Sequence, residues 1–277
     1  MPTLFVFPTV QVQPSSNLPN VPGVLGLGPN ANSNVHVSLK NQPQGDAVLD
    51  RMFRQNVSTP NILTVLLGRS NDPAERYPGD LTVGEIIPGM ENITTEPKVP
   101  VTVDPQKHSG DQHWQALLDA IIGPDGKPIQ IQTSVQGTQN PNQLTAVFDT
   151  GFSLPQVPQY VFAAYFPFSD WRSSSLAIDN RALADAIYSG VPNASFQTVD
   201  GMGSIWTVPC NAEINVTFMI GGKAYPVHPL DTNADIGDPI TCLGAVRFFE
   251  QSSTFTQYPT RSYCSFSPFP NRIRISI

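Results

Sequence analysis

Charge is scarce in this chain. Asp, Glu, Lys and Arg make up 13% of its 277 residues, and 22 acidic side chains outnumber 15 basic ones for a net charge of -7 and a pI near 4.9. No basic run offsets that balance, which argues against nucleic acid and anionic membrane surfaces as partners. Long hydrophobic runs are missing too. The longest lies near Ile62 to Leu67, far below the ~18 residues a membrane-spanning helix requires. Met1 to Val10 is apolar, but Pro2 and Pro8 interrupt it and no basic region leads it, so it does not read as a secretory signal. Among His36, His108, His113 and His228 there is one close pair, and its five-residue spacing with no cysteine or second ligand nearby fits no helical metal motif. Asp231-Thr232-Asn233-Ala234-Asp235 opens like a calcium loop, but Ile236 stands where that loop needs Gly and Cys242 where it needs Glu. Neither a Gly-x-Ser-x-Gly elbow nor a phosphate-binding Gly-Lys-Ser/Thr loop occurs, so serine-hydrolase and nucleotide chemistry have no starting point. No metal and no cofactor is expected.

Turn formers are abundant. Twenty-eight prolines and 20 glycines favour short strands joined by many turns over long helices, which predicts an all-β architecture with one large or two modest cores. Residues 11 to 22 are loop-like, since their prolines exclude a helix and a central strand. Asp46 to Gln55 places Val48, Leu49, Met52 and Phe53 at helical spacing behind an acidic start, predicting a short amphipathic helix. Leu63 to Leu67 and Leu81 to Ile87 read as strands with turns at Asn71-Asp72-Pro73 and Pro78-Gly79-Asp80 between them. Lys98 to Val103 alternates with prolines and reads as a crossing segment, after which Trp114 to Leu118 and Ile129 to Val135 are expected to pair around the Asp125-Gly126 turn. Gln136 to Gln143 is a polar loop, and Arg181 to Ser189 has helical spacing at Leu183, Ala186 and Ile187. The end, Arg272-Ile273-Arg274-Ile275-Ser276-Ile277, alternates like an edge strand.

Three cysteines, Cys210, Cys242 and Cys264, fit either a disulfide with one residue left over in an oxidising compartment or free thiols in the cytosol. Asn56-Val57-Ser58, Asn92-Ile93-Thr94, Asn193-Ala194-Ser195 and Asn215-Val216-Thr217 are glycosylation sequons, which lean towards a secreted history.

Chemistry concentrates at Thr145-Ala146-Val147-Phe148-Asp149-Thr150-Gly151-Phe152-Ser153-Leu154. A carboxylate follows apolar residues that read as a buried strand, and a Thr-Gly pair then turns the chain, so Asp149 is expected at a strand end facing a cleft. Burying a lone carboxylate is costly unless hydrogen bonds or a second titrating group share the load.

This stretch resembles the Asp-Thr-Gly loop of pepsin-like aspartic peptidases of fungal type, in particular that of the C-terminal lobe. The resemblance runs in order from about Gly23 to Gly244. Gly23-Val24-Leu25-Gly26-Leu27-Gly28 looks like the glycine-rich strand after the flap of the N-terminal lobe, and Gly79-Asp80-Leu81-Thr82-Val83-Gly84 like the hairpin before the lobes join. Trp114-Gln115-Ala116-Leu117-Leu118-Asp119 is similar to the first strand of the C-terminal lobe, and Asp125-Gly126-Lys127-Pro128 to the hairpin that follows. Trp206 to Cys210, Phe218 to Pro226 and Cys242-Leu243-Gly244 complete the order.

The resemblance implies a pepsin-like acid protease fold, bilobal but incomplete, with a few short helices. Residues 1-95 would be the remnant of an N-terminal lobe, 96-249 a C-terminal β-barrel lobe carrying the Asp-Thr-Gly loop, and 250-277 a divergent tail. Residues 159-180, with Tyr160, Phe162, Tyr165, Phe166, Phe168 and Trp171, are an insertion the family pattern does not lead one to expect. It implies a Cys210–Cys242 disulfide and an extracellular or secretory setting. It implies aspartic endopeptidase chemistry, in which two aspartates share a proton and act as acid and base on one water, with Asp149 as one of the pair and Thr150 and Gly151 as its supporting loop. The substrate is a peptide or protein.

Asp149 is the one Asp-Thr-Gly or Asp-Ser-Gly aspartate, Asp231-Thr232 being followed by Asn233, and the first 22 residues hold no Asp and no Tyr for the family's other loop and flap. The family's closing strands are expected to be missing as well. The chain alone is therefore expected to have little or no activity, with a non-catalytic peptide-binding or inhibitory module as the alternative and a homodimer pairing two copies of Asp149 as the less favoured arrangement. Phe152 stands where the family usually has a hydroxyl donor to the catalytic carboxylate, which should raise the Asp149 pKa unless Ser153 or a backbone N–H substitutes.

Overall fold

A computed structural model describes residues 25–67, 79–102, 113–130, 143–148, 156–158, 182–199, 203–249, 263–266 and 272–276. These residues form mostly sheet with three short α-helices. The strands are β1 (Ile62–Leu67), β2 (Gly79–Val83), β3 (Gln115–Leu118), β4 (Ala120–Ile122), β5 (Leu144–Phe148), β6 (Gln156–Pro158), β7 (Ser195–Val199) and β8 (Gly203–Pro209). They continue as β9 (Thr217–Ile220), β10 (Lys223–Pro226), β11 (Asn233–Ala234), β12 (Thr241–Gly244), β13 (Arg247–Phe249), β14 (Tyr263–Phe266) and β15 (Arg272–Ser276). The helices are α1 (Asn34–Ser38), α2 (Val48–Gln55) and α3 (Ala182–Tyr188). The strands make four sheets, ordered β15-β1-β2, β10-β9-β4, β11-β12-β8-β7 and β13-β6-β14-β5-β3. No sheet among the described residues closes into a barrel, which departs from the barrel lobe expected.

The first sheet is built on β1, whose aliphatic run buries Leu63, Thr64, Val65 and Leu66. Thr64 is the one polar side chain in that buried stretch, and its hydroxyl donates to the Glu85 carbonyl. From α2, Leu49 and Phe53, four apart on one face, pack on Leu63 and Val65, whereas Met52 points to solvent. Strand β2 is shorter than the sequence predicts. It stops at Val83 because Gly84 adopts φ +85° and turns the chain, so Ile87 packs with Leu66 and Met90 from a turn.

The second unit gathers α3 and strands from the other sheets around one core that includes Leu118, Ile121, Leu144, Ile187, Tyr188 and Val208. Helix α3 buries Leu183, Ala184, Ile187 and Tyr188, whereas Ala186, expected inward, is exposed. The Asp125-Gly126 turn forms, with Gly126 at φ +75°, but it closes on β4: Gly123 N–H donates to Lys127 and Ile129 N–H to Ile121. Strand β3 pairs with β5, and the pairing expected between it and 129–135 lies largely outside the described residues, which stop at Gln130. The polar loop up to Asn142 and the 159–180 insertion lie outside them too.

The region expected to be a divergent tail supplies strands to both units, since β14 lies in the sheet of β5 and β15 pairs with β1 as the edge strand its alternation predicts. The crossing segment 96–102 is fastened to the second unit. Glu96 accepts hydrogen bonds from Lys223 (2.5 Å) and from the Tyr225 hydroxyl (3.0 Å), and Thr102 exchanges two bonds with Gln115.

Tyr188, wholly buried, fastens the end of the core. Its hydroxyl donates to the Thr232 carbonyl (3.0 Å) and accepts from Val246 N–H (2.9 Å). Thr232, in the stretch that opens like a calcium loop, is consequently buried. The Thr232 carbonyl keeps a second donor, Ala245 N–H, so Tyr188→Phe orphans chiefly the Val246 amide. Urea unfolding is expected to show a loss of about 2 kcal/mol with an unchanged slope.

Candidate functional site

Asp149, Thr150 and Gly151 lie outside the described residues, and the structure defines their frame. Strand β5 runs directly up to them. It is central, paired antiparallel with β3 (Ala116↔Ala146) and parallel with β14 (Cys264↔Ala146). Burial falls along it: Leu144, Thr145, Ala146 and Val147 are buried, whereas Phe148, the residue before Asp149, is half-buried. Phe148 is the last described residue before the carboxylate. It re-enters the sheet at Gln156 in β6, which lies beyond β14, and Ser265 of β14 is the residue opposite Gln156.

Two hydrogen bonds join this strand end to the first unit. Phe148 N–H donates to the Trp114 carbonyl (2.9 Å), and the Trp114 indole N–H donates to the Leu27 carbonyl (2.6 Å). Leu27 belongs to the glycine-rich stretch and Trp114 opens the β3 stretch, so two segments far apart in sequence meet beside the end of β5. Next to Trp114, Gln115 is buried opposite Val147, its amide nitrogen donating to Thr102 while its Oε1 has no hydrogen-bond partner among the described residues.

The one buried charged side chain among the described residues lies elsewhere. Asp46, expected at a helix start, precedes α2 without capping it, and its carboxylate is 1% exposed. Oδ1 accepts from Asn30 Nδ2 (3.1 Å) and lies 3.2 Å from His36 Nδ1, and Oδ2 lies 3.2 Å from Arg54 Nε. The His36 and Arg54 contacts lack hydrogen-bond alignment, and the Arg54 guanidinium acts through its charge. Asn30 also accepts from Ala47 N–H (2.6 Å). The group ties residue 30, three positions beyond Leu27, to α1 and α2. This is a structural ion-pair network, with no exposed nucleophile or base.

Asp50 on α2 sits at its margin. Burial, reinforced by the Asp46 charge, holds its carboxyl above the usual range against the lowering effect of an Asn30 backbone hydrogen bond, Arg54 and His36. A raised folded-state pKa favours folding below the unfolded-state pKa, and that contribution disappears as pH rises through the folded value. Asp50→Asn is therefore expected to raise the Tm at neutral pH, and thermal melts below about pH 4 should show the advantage gone.

Cys210, directly after β8, and Cys242 on the neighbouring β12 form a disulfide. The four sequon asparagines, Asn56, Asn92, Asn193 and Asn215, are all exposed. No group of three or more His, Cys, Asp or Glu poised to hold a metal occurs among the described residues, and none of their helices is long and apolar enough to cross a membrane. Sequence reasoning missed the Asp46 network and the Trp114 tie. The signal for the first was an Asp four residues before another Asp and eight before an Arg, and for the second a Trp one position ahead of a buried strand.

A scan against protein-family models finds no match, and a search of curated proteins finds none either.

Proposed function

We propose that the chain carries one half of an aspartic endopeptidase site on a pepsin-like fold, with Asp149 as the aspartate and Thr150 and Gly151 as its supporting loop. The observation that supports this reading most is the end of β5: a buried central strand emerges immediately before Asp149, where Trp114 and Leu27 join two stretches that the resemblance assigns to different lobes.

In this chemistry an ionised aspartate draws a proton from a bound water as the water attacks a peptide carbonyl. A second, protonated aspartate stabilises the tetrahedral intermediate and passes a proton to the leaving amine. One carboxyl cannot hold both states at once. The chain holds one Asp-Thr-Gly aspartate, so on this reading the purified protein has little or no turnover by itself. The disulfide and the four exposed sequons support a secretory or extracellular setting with glycan on Asn56, Asn92, Asn193 and Asn215.

Hydrolysis of denatured protein at acid pH, with and without a transition-state-like inhibitor of aspartic peptidases, tests the reading. Trace inhibitable turnover that vanishes in Asp149→Asn is expected; turnover unaffected by that substitution would assign the chemistry to other residues.

A further inference from the structure

The segment that joins the two units, Glu96 to Thr102, is fastened at its ends and not along its length. Pro97 and Pro100 have no N–H to donate, and among the described residues the backbone of 97–101 makes no hydrogen bond. At the Thr102 end the fastening is neutral and buried. Thr102 N–H donates to the Gln115 carbonyl (2.9 Å), the Gln115 side-chain amide donates to the Thr102 carbonyl (2.8 Å), and Gln115 is 2% exposed. At the Glu96 end it is ionic. Both carboxylate oxygens accept from Lys223 Nζ on β10, and Oε2 also accepts from the Tyr225 hydroxyl (3.0 Å). Between the ends, Pro97 and Val99 sit against Gly221 in the turn from β9 to β10. Gly221 takes φ +60°, and a Cβ there would lie 2.8 Å from Val99 Cγ1 and 3.1 Å from Pro97 Cβ.

One of these fastenings responds to acid. An ammonium and a phenol keep their protons as pH falls, so the carboxylate is the group of the three whose charge changes. The charged groups next to Glu96 along the chain, Glu91 and Lys98, are exposed, and at the hairpin turn the Asp119 carboxylate accepts from Gly222 N–H (2.8 Å).

We propose that this segment is an acid-released clasp: protonating Glu96 detaches the start of the segment from the β9–β10 hairpin and slackens the connection between the two units, while Thr102 stays fixed and both units stay folded. The direction follows from the pairing. The Lys223 hydrogen bond, aided by the Tyr225 hydroxyl and the Lys223 charge, holds the Glu96 carboxyl below its ordinary value of 4.5 against the opposing effect of burial. A depressed pKa favours the clasped state above the ordinary value, and that contribution is lost as pH falls through the lowered one. Glu96 and Lys223 are 29% and 47% exposed, and a pair this open adds little to global stability, so its loss frees the segment without unfolding what it fastens. The inference is independent of the chemistry assigned to Asp149.

The test places a nitroxide spin label on Lys98→Cys in the full chain, with Cys264→Ser to remove the odd thiol, and for comparison on Met52→Cys, an exposed position of α2. Between about pH 7 and about pH 3, the mobile fraction at position 98 is expected to rise several-fold once pH is below 4.5, with position 52 and the near-UV circular dichroism unchanged. Glu96→Gln and Lys223→Met, each lacking the ion pair, should give the mobile spectrum at both ends of that range. Near neutral pH, trypsin should cut after Lys98 several-fold faster in Glu96→Gln than in the parent chain. Equal mobility at position 98 throughout in a folded parent chain, a pH response that persists in Glu96→Gln, or mobility that rises only as the near-UV signal is lost would each overturn the inference.

Discussion

Replacing Cys210 and Cys242 together by alanine is expected to lower stability by about 3 to 4 kcal/mol, with guanidinium unfolding in the presence and absence of reductant as the check. The two residues are 32 apart, and on the chain-entropy account a bridge closing a loop of that length restricts the unfolded chain by about that amount. The position adds to the effect. Cys242 is buried in the core of the second unit with Val208 and Val246, and the Cys210 backbone N–H donates to the Ile240 carbonyl. Reductant alone should reproduce most of the loss in the parent chain and none in the double variant. An equal midpoint in both proteins under oxidising conditions would show that the bridge constrains nothing.

Asp46→Ala is expected to cost about 3 kcal/mol in the same measurement, much more than an exposed ion pair would. The alanine leaves Asn30 Nδ2 and the His36 ring facing a site with no acceptor, and it removes the counter-charge of Arg54. Arg54 is 57% exposed and can turn to water, which keeps the loss below that of a fully buried pair. Asp46→Asn retains an acceptor for Asn30 and should recover about half of the loss. Since Asn30 also caps Ala47 N–H, amide exchange at Ala47 should quicken in the alanine variant before the rest of α2 is affected.

The elements that were legible in the sequence owe their form to local chemistry. The aliphatic run from Ile62 to Leu67 is a strand, the 3.6-residue spacing of Leu49 and Phe53 is a helix, and Asp125-Gly126 is a turn because Gly126 takes a positive φ that other residues resist. Pairing was not legible. That β3 joins β5 depends on which buried faces meet, and Leu118 opposite Leu144 is a contact across 26 positions that no local pattern encodes. The 81–87 reading ran past its end because Ile86 and Ile87 continue the apolar pattern while Gly84 has already turned the backbone. Of the candidate site, the Asp-Thr-Gly residue types stand in the sequence, whereas the ties through Trp114 and Leu27 arise only once two distant segments are packed together.

The same logic separates the two carboxylates that stand out. Asp46 reads as an ordinary helix-start residue and is buried among Asn30, His36 and Arg54, which suits structure. Asp149 follows a buried strand whose last described residue, Phe148, is half-buried.

The most direct test of Asp149 as a half-site is calorimetric binding of a transition-state-like peptide inhibitor at acid pH to the parent chain and to Asp149→Asn, with thermal melts confirming equal folding. The account predicts measurable binding by the parent chain and an affinity at least about tenfold weaker in the variant, a difference of about 1.4 kcal/mol. Equal affinity in the two proteins would contradict it and leave a peptide-binding module whose cleft does not use that carboxyl.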